Sequence, residues 1–408
     1  MQYSTLKFIY RKGINMKWRI CILVLLAGLL HADQWIEYLE ASIMDLDYDD
    51  HYVYVATEKG LYIINKKTNE QYLYTSSNSE LPSNLIYNLS FADSIIWLST
   101  IEHLLSFDGE NWTIHNPGNI NWFIYDLLYD NGVLWIGSDH GLVKYNGENW
   151  EIFNSDNSGF PTNKMWNLTN ADSALWIGTY EGLIKFDGIN CEVFNSENST
   201  LPVNPIRAVH YDGQILWVGT DYGLLKYDGT NWEHYLVSNS GLPDNRIITL
   251  EYGNGILWVG TFYGLGRYDG ANWSCYDYRN SAIAHELITS LAVDRDILWI
   301  GSMENLVRLN YKELNIINVT PVSICLYNNY PNPFNSVTYI NYTLNQTGHV
   351  KLTVTDISGR IVDILIDKQQ NGGKYTLSFE GSGLVSGMYV CRLESGNIQQ
   401  SQKMILLK

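Results

Sequence analysis

The feature that most constrains this chain is a sequence repeat with a period of about forty residues. Each repeat places one aromatic residue in the same short apolar run, and the last five of these residues are 41 positions apart. They are Tyr54, Trp97, Trp135, Trp176, Trp217, Trp258 and Trp299. Four strand-like runs, separated by Gly- and Asn-rich turns, fill each period. This pattern is typical of a β-propeller.

The repeats predict an all-β fold with a seven-bladed β-propeller over residues 33–318. Of the 14 tryptophans, six occupy the anchor position and five occupy a position in the predicted outer strand. Rings in two repeated registers are most simply explained as packing between blades. The outer-strand tryptophans are Trp35, Trp112, Trp150, Trp232 and Trp273.

The ring also has a predicted closing strand. Residues 34–38 (Q-W-I-E-Y) copy the outer-strand segment 231–235 (N-W-E-H-Y), yet they precede the first complete repeat. The seventh repeat, in turn, reaches Asn310 without a following Asn-Trp. We therefore expect the N-terminal strand to complete the last blade, which removes free sheet edges. The segment Leu314–Ile317 is the competing candidate for the same place.

Both ends of the chain predict export. Residues 1–32 read as a signal peptide, with a short basic start, an eleven-residue apolar run and Met16 as an alternative initiator. No later run of eighteen apolar residues exists, so we expect no membrane span in the mature chain. After a linker at 319–325 the composition changes, and residues 326–408 predict a small Ig-like β-sandwich.

Charge and cysteine content exclude several classes of protein. The net charge is −17 with only 26 basic residues, and no basic cluster lies in the mature part, so we expect no nucleic-acid partner. The cysteines show no spacing typical of zinc or redox sites. Cys191 stands where neighbouring repeats carry Trp, which predicts a packing role. A Cys325–Cys391 bridge could form in an oxidising compartment.

The pattern L-W-[IV]-G-T-x-x-G-L-x-[KR]-[YF]-D-G, nearly intact in at least five repeats, resembles the two-component regulator propeller repeat. The resemblance covers residues 34–310 and implies a propeller like those in the sensor regions of hybrid histidine kinases, which respond to polysaccharide fragments. The repeats depart from the pattern at His103 and at Met303. No kinase or DNA-binding region follows, so we do not expect the signalling role.

The C-terminal segment resembles the type A sorting domain of the type IX secretion system. The motifs are Y-P-N-P-F-N (330–335), D-I-S-G-R (356–360), S-G-M-Y (386–389) and K-M-I-L-L-K (403–408). The resemblance implies passage through the periplasm and export across the outer membrane by the type IX machinery. Release or surface attachment, usually with removal of this domain, would follow.

Two sets of residues are candidate sites, because a propeller brings equivalent positions around one axis. The first is a small polar slot in each inner strand, predicted to face the central channel. It holds Asp45, Asn88, Asp126, Asn167, Ala208, Thr249 and Ser290. Carboxylates and amides there could hold a cation or sugar hydroxyls, although a water-filled structural channel explains them as well.

The second set consists of two-residue turns on the face that carries Pro-containing links between blades. Their residues mix aromatic and acidic side chains and vary between repeats, which suits recognition by loops on a rigid scaffold. Solvated hairpin tips are the competing interpretation. The residues are Asp139, His140, Tyr180, Glu181, Asp221, Tyr222, Phe262 and Tyr263.

These patterns predict a secreted or cell-surface binding module for a glycan or an extracellular protein. No catalytic signature, such as H-E-x-x-H or G-x-S-x-G, is present in the sequence, and no cofactor is predicted beyond a channel cation. A lyase or hydrolase acting at the funnel is the alternative, because some propellers, including the streptogramin lyases, are enzymes. A purely structural surface protein is the third possibility.

Overall fold

The computed structural model describes residues 35–115, 122–199, 201, 205–278, 280–312, 324–327, 329–344, 347–396 and 398–408. Every regular element within these residues is a β-strand. The predicted signal peptide and the alternative closing segment Leu314–Ile317 lie outside the described residues.

The repeats form consecutive antiparallel sheets, because turns with Gly or Asn in the left-handed region end each short run of β-branched and aromatic residues. A first strand, β1 (Trp35–Glu40), precedes the repeats. Blade 1 contains β2 (Ile43–Tyr48), β3 (Tyr52–Thr57), β4 (Leu61–Asn65) and β5 (Gln71–Tyr74). Blade 2 contains β6 (Asn88–Ala92), β7 (Ile95–Ser99), β8 (Leu104–Phe107) and β9 (Trp112–His115). Blade 3 contains β10 (Ile124–Asp130), β11 (Val133–Ser138), β12 (Gly141–Tyr145) and β13 (Trp150–Phe153).

The remaining blades follow the same order. Blade 4 contains β14 (Met165–Ala171), β15 (Ala174–Thr179), β16 (Leu183–Phe186) and β17 (Cys191–Phe194). Blade 5 contains β18 (Ile206–Tyr211), β19 (Leu216–Thr220), β20 (Gly223–Tyr227) and β21 (Trp232–Tyr235). Blade 6 contains β22 (Ile247–Gly253), β23 (Ile256–Thr261), β24 (Gly264–Tyr268) and β25 (Trp273–Tyr276). Blade 7 contains β26 (Ile288–Asp294), β27 (Ile297–Ser302) and β28 (Asn305–Asn310).

The sheets close into a ring. Each inner strand contacts the inner strand of the next blade, and β26 of blade 7 contacts β2 of blade 1. Strand β1 pairs with β28, with Trp35 opposite Leu309, so the predicted closure by the N-terminal strand is confirmed. Within the described residues the ring contains seven four-stranded sheets. The predicted propeller fold is confirmed.

Aromatic packing between and within blades forms the core. The anchor indoles are buried, with Trp258 and Trp299 at 0% and 2% exposure, apart from Trp135, which is half-buried. Rings on the third and outer strands also stack, as for Tyr145 and Trp150, whose centroids are 3.9 Å apart. Burial of such rings contributes most of the stabilisation at these interfaces, because each removes roughly 150–250 Å² from water. The predicted packing role is therefore confirmed.

The C-terminal part is a two-sheet sandwich. One sheet has the order β29-β30-β33 and the other has the order β32-β31-β34-β35, with antiparallel pairing throughout. Because the first strand begins at Ile324, the end of the predicted linker belongs to the sandwich. The strands are β29 (Ile324–Leu326), β30 (Val337–Leu344), β31 (Gly348–Asp356), β32 (Ile361–Gln370), β33 (Gly373–Glu380), β34 (Gly387–Ser395) and β35 (Ile398–Leu406).

The opening and closing motifs of the sandwich are joined by hydrogen bonds. The Phe334 amide donates to the Ile405 carbonyl (2.9 Å), and the Leu407 amide donates to the Phe334 carbonyl (2.8 Å). The Asn332 side chain accepts from the Ile405 amide (2.9 Å). In the D-I-S-G-R turn, Asp356 accepts the amides of Ser358 and Arg360, each at 3.0 Å. These sequence motifs therefore fix the two ends of the domain and one hairpin.

The pairing of the cysteines differs from the Cys325–Cys391 bridge that the sequence allowed. Cys391 is a free thiol buried in the sandwich core, so the bridge considered between Cys325 and Cys391 does not form. Cys275 is disulfide-bonded. Cys191 is a free, half-buried thiol packed against the core between blades 3 and 4, as its place in the repeat predicted.

Candidate functional site

The repeated G-T-x-x-G motif builds the tight turns at one end of the ring. In blade 5 the Thr220 hydroxyl donates to the Gly223 carbonyl (2.9 Å) and accepts from the Tyr222 amide (2.9 Å). Gly223 has a φ of +120°, and a Cβ there would lie 2.5 Å from the Tyr235 carbonyl oxygen. Only glycine satisfies both conditions. The turn therefore presents Asp221 and Tyr222 in a fixed position.

The inner strands contribute bulged residues to the same end of the ring. In blades 1 and 3–7 the register shifts immediately before the polar slot, so one extra residue lies between two paired ones. A bulge changes the direction of a side chain relative to the strand. The bulged residues are Met44, Tyr125, Trp166, Arg207, Ile248 and Thr289.

Turns and bulges together surround a funnel cavity of about 710 Å³. Its wall combines two arginines, one carboxylate, two aromatic rings and four smaller or aliphatic side chains. This volume and mixture are typical of small-molecule sites. The lining residues are Met44, Arg207, Asp221, Tyr222, Arg246, Ile248, Phe262, Leu287 and Thr289.

Arg207 is held on two sides. Its Nε and Nη2 atoms donate to the two carboxylate oxygens of Asp221 at 2.5 and 3.0 Å. Its guanidinium also lies over the ring of Trp166, 5.5 Å from the centroid. A bidentate pair fixes the plane of the guanidinium, so its remaining N–H groups have defined directions.

Arg246 is fixed in a similar way. Its Nε atom donates to Asp244 Oδ1 (3.1 Å), and its guanidinium lies 3.9 Å from the centroid of Phe262 and 5.1 Å from that of Tyr263. Burial raises the pKa of the Asp244 carboxyl, and hydrogen bonds from Arg246 partly offset this effect. The guanidinium thus lies against two aromatic rings and beside a half-buried carboxyl group.

The structure brings together only part of the predicted turn set. Asp221, Tyr222 and Phe262 line the cavity, and Tyr263 contacts Arg246. Tyr180 packs edge-on against Trp166 at 5.8 Å.

The blade 3 turn and Glu181 lie outside this group. Asp139 and His140 form a pair at 2.7 Å, and His140 stacks on Trp122 at 6.2 Å. Neither these two residues nor Glu181 lines the cavity.

Sequence reasoning missed the two arginines and the bulged positions. The bulged positions could have been found from the repeat, because each bulged residue directly precedes the polar slot of its inner strand. Trp166 gave a second signal, since it lies outside both repeated tryptophan registers. Arg246 directly precedes the inner strand of blade 6, at the end of the Pro-containing link. The path of that link in the folded protein places Arg246 at the cavity.

The predicted polar slot forms a belt of hydrogen bonds between blades. Asp45 accepts from the Leu89 amide of the next blade (2.9 Å) and from the Ser290 hydroxyl of blade 7 (3.0 Å). Asn88 donates to the Ile124 carbonyl of blade 3 (2.9 Å). The side chains of the slot thus bond to each other and to the main chain across blade boundaries.

The belt continues through blades 3 to 5. Asp126 Oδ2 accepts from the main-chain amide of Leu168 (2.7 Å) and from the side-chain Nδ2 of Asn167 (2.8 Å). Asn167 Oδ1 then accepts from the Val209 amide (2.7 Å). Ala208 and Thr249 occupy the same slot in blades 5 and 6.

Burial controls the charge of the belt. It raises the pKa of Asp45 to about 6 and the pKa of Asp126 to about 8, although hydrogen bonds to both carboxylates oppose the shift. In the part of the chain that the structure describes, no group of three or more metal-ligating side chains is close enough to hold a metal ion. The hydrogen bonds of the belt join neighbouring blades to one another.

Comparison with protein families gives one match in sequence. Residues 328–407 match the secretion system C-terminal sorting domain. The resemblance that the terminal motifs predicted is confirmed. No curated protein sequence matches this chain.

Comparison with solved structures gives propellers. The extracellular domain of a hybrid two-component system from B. thetaiotaomicron matches with a TM-score of 0.63 at 14% identity, over 91% of this chain and 57% of that one. The extracellular domain of a second such system matches with a TM-score of 0.57 at 18% identity, over 81% of this chain and 46% of that one. This chain therefore spans about half the length of these proteins.

Virginiamycin B lyase from Staphylococcus aureus also matches, with a TM-score of 0.56 at 12% identity, over 68% of this chain and 98% of that one. At these identities the matches establish the fold alone. The sorting domain indicates secretion by the type IX system to the cell surface or beyond. Among the described residues no helix is long and apolar enough to cross a membrane.

Proposed function

We propose that this protein is an exported binding module whose funnel cavity takes a saccharide chain. The observation that carries the proposal is the wall of the cavity, where two ion-paired arginines each lie against an aromatic ring. Saccharides present both apolar C–H faces and hydroxyl groups. A wall of rings and fixed donors and acceptors complements both kinds of surface.

The charge balance of the cavity favours a hydroxyl-rich ligand over a strongly charged one. Arg207 is neutralised by Asp221 at 2.5 Å, and Arg246 is neutralised by Asp244 at 3.1 Å. A charge already paired in this way still donates hydrogen bonds through its outward N–H groups. The remaining wall, with Met44, Ile248 and Leu287, offers apolar contact.

The resemblance to sensor propellers that respond to polysaccharide fragments agrees with this proposal. An extracellular protein is the alternative ligand, and it would need contacts well beyond the funnel, because a stable protein interface buries about 800 Å² on each partner. The size of the cavity, about 710 Å³, fits a few sugar rings better than a protein surface.

The proposal can be tested by screening the full exported chain against an array of neutral and acidic glycans, followed by calorimetric titration of the best binder. We expect Arg246→Ala to weaken binding about tenfold or more, because it removes a fixed donor and the stacking of Phe262. Arg295→Ala is the matched control. It removes an exposed arginine that pairs with Asp50 and does not line the cavity.

Three results would contradict the proposal. They are the absence of saccharide binding, equal losses in both arginine variants, and consumption of the saccharide during the titration. Turnover would instead favour a lyase or hydrolase at the same funnel.

A further inference from the structure

The anchor aromatic residue of each blade lies in a row that crosses three strands, and in several blades this row has the same composition. An anchor tryptophan on the second strand is opposite a lysine on the third strand, which is opposite a glutamate on the outer strand. The rows are Trp135–Lys144–Glu151, Trp176–Lys185–Glu192 and Trp217–Lys226–Glu233.

In blades 3 and 4 the ammonium group of the lysine lies over the indole ring. Lys144 Nζ lies 5.8 Å from the Trp135 ring centroid, and Lys185 Nζ lies 5.5 Å from that of Trp176. The glutamate lies beside the ammonium group, at 3.7 Å in the blade 3 row. Lys144 of blade 3 therefore contacts both an indole and a carboxylate, Lys185 of blade 4 contacts the indole, and Lys226 of blade 5 pairs with Glu233 at 3.4 Å.

Blade 1 has the same row without the lysine. Tyr54 is opposite Ile63, and Ile63 is opposite Tyr72. Next to this row is a cleft of about 370 Å³ between blades 1 and 2. Its wall includes Tyr52, Tyr74 and Phe107, and the Tyr72 ring at its rim is 52% exposed.

The cleft carries negative charge at its edges. Asp49 and Asp108 both line it, and neither lysine nor arginine is among its lining residues. Asp49 Oδ2 accepts the Tyr54 hydroxyl at 2.8 Å, which fixes the carboxylate beside the ring. The Asn111 and Glu110 amides hold the pKa of Asp108 below its ordinary value, so Asp108 is ionised at neutral pH.

We propose that this cleft binds an alkylammonium group, which takes the place that a lysine of the protein occupies in blades 3, 4 and 5. Aromatic faces and flanking carboxylates together attract organic cations, whereas a purely apolar ligand would gain nothing from the carboxylates. The cation could be a free quaternary ammonium compound or the side chain of a lysine in a peptide. This site is separate from the funnel cavity, and it shares none of the funnel's lining residues.

The experiment is a titration of the full exported chain, monitored by ligand NMR and calorimetry. Three probes distinguish the sources: choline, an N-acetylated lysine amide, and the neutral tert-butyl analogue of choline. We expect millimolar binding of one or both cations and about fivefold weaker binding of the neutral analogue, because exposed cation–π contacts are individually modest. Preference for choline or for the lysine amide identifies the source.

Two variants and a control locate the binding. Ile63→Lys restores the lysine of the other rows and should abolish cation binding while circular dichroism shows an intact fold. Tyr72→Ala should weaken binding about fivefold. Tyr339→Ala is the matched control, because Tyr339 is 51% exposed and lies in the sandwich. Binding that survives Ile63→Lys, or equal binding of the neutral analogue, would overturn the proposal.

Discussion

The belt and the funnel are built from neighbouring positions on the same inner strands, yet they use their polar residues in opposite ways. In the belt, Asp45, Asp126 and Asn167 bond to the next blade. In the funnel, one residue earlier along the strand, Arg207 pairs with a turn residue and keeps its outer face toward the cavity. The one-residue bulge in the inner strand is what gives these two adjacent positions different surroundings.

This difference shows how a repeat protein separates stability from recognition. Asp45, Asp126 and Asn167 accept from main-chain amides of the adjacent blade, so replacing them leaves these amides without partners. The bulged positions hold chemically different residues in different blades, such as Met44, Trp166 and Arg207. We therefore expect slot mutations to affect stability and funnel mutations to affect binding.

The largest effect should come from Asn167→Leu in the belt. This change removes the hydrogen bond to Asp126 and leaves the Val209 amide without its acceptor. The free energy of unfolding should fall by about 3 kcal/mol, because buried unpaired groups cost about 1–3 kcal/mol each. Chemical denaturation would measure it. Thr249→Ala is the control, since Ala208 already occupies this slot in blade 5, and a similar loss there would contradict a special role for the belt.

A smaller loss should follow from Gly223→Ala in the turn beneath Tyr222. The new Cβ would lie 2.5 Å from the Tyr235 carbonyl oxygen in a backbone with φ of +120°. We expect a loss of about 2 kcal/mol or more and weaker funnel binding, because the turn must move. Gly229→Ala tests backbone strain alone, since Gly229 has a φ of +93° with no atom within 4 Å of the added Cβ. That variant should lose about 1 kcal/mol and bind normally.

The belt should also make stability depend on pH. Burial raises the pKa of Asp45 to about 6 and that of Asp126 to about 8, so the folded state holds these protons more tightly than the unfolded state. This contribution is complete below about pH 4 and is lost as the pH rises through 6 and 8. Relative to Asp126→Asn, the wild type should lose stability steadily as the pH rises from 5 to 8. Thermal unfolding of both proteins across this range would show parallel curves if Asp126 did not titrate.

The smallest stability effect should be that of Arg207→Gln in the funnel. The Arg207–Asp221 pair is partly exposed, with 41% and 26% of the two side chains accessible. Exposed pairs contribute little, so we expect a change within about 0.5 kcal/mol together with a clear loss of saccharide affinity. Denaturation and titration of the same sample would compare the two. A loss of stability as large as that of Asn167→Leu would remove the distinction between belt and funnel.

Much of the fold was predictable because it depends on local patterns. The 41-residue spacing of the anchor tryptophans predicted the blades, and the outer-strand motif before Tyr38 predicted the closing strand. The repeated polar slot was also visible in the sequence, but the choice between a structural role and a ligand site was left open. Whether Asp126 meets a ligand or the Leu168 amide depends on the distance between blades, which no local pattern contains.

The candidate sites show the same limit. The turns at Asp221 and Phe262 could be identified from the sequence, because their residues differ between repeats while the flanking G-T and G-L residues recur. Arg246 was not visible, because it lies at the end of a link whose path over Phe262 is set by packing. Predicting the cleft beside blade 1 would have required the strand register, which places Ile63 opposite Tyr54 and Tyr72.

The sequence by itself determined the blades, their order, the closing strand and the sorting domain, because periodicity and short motifs act through neighbours along the chain. Only the tertiary structure decided which polar residues bond to one another and which face a cavity. The physical reason is that a side chain's partners come from other blades, at distances of about 3 Å that depend on how complete sheets pack together.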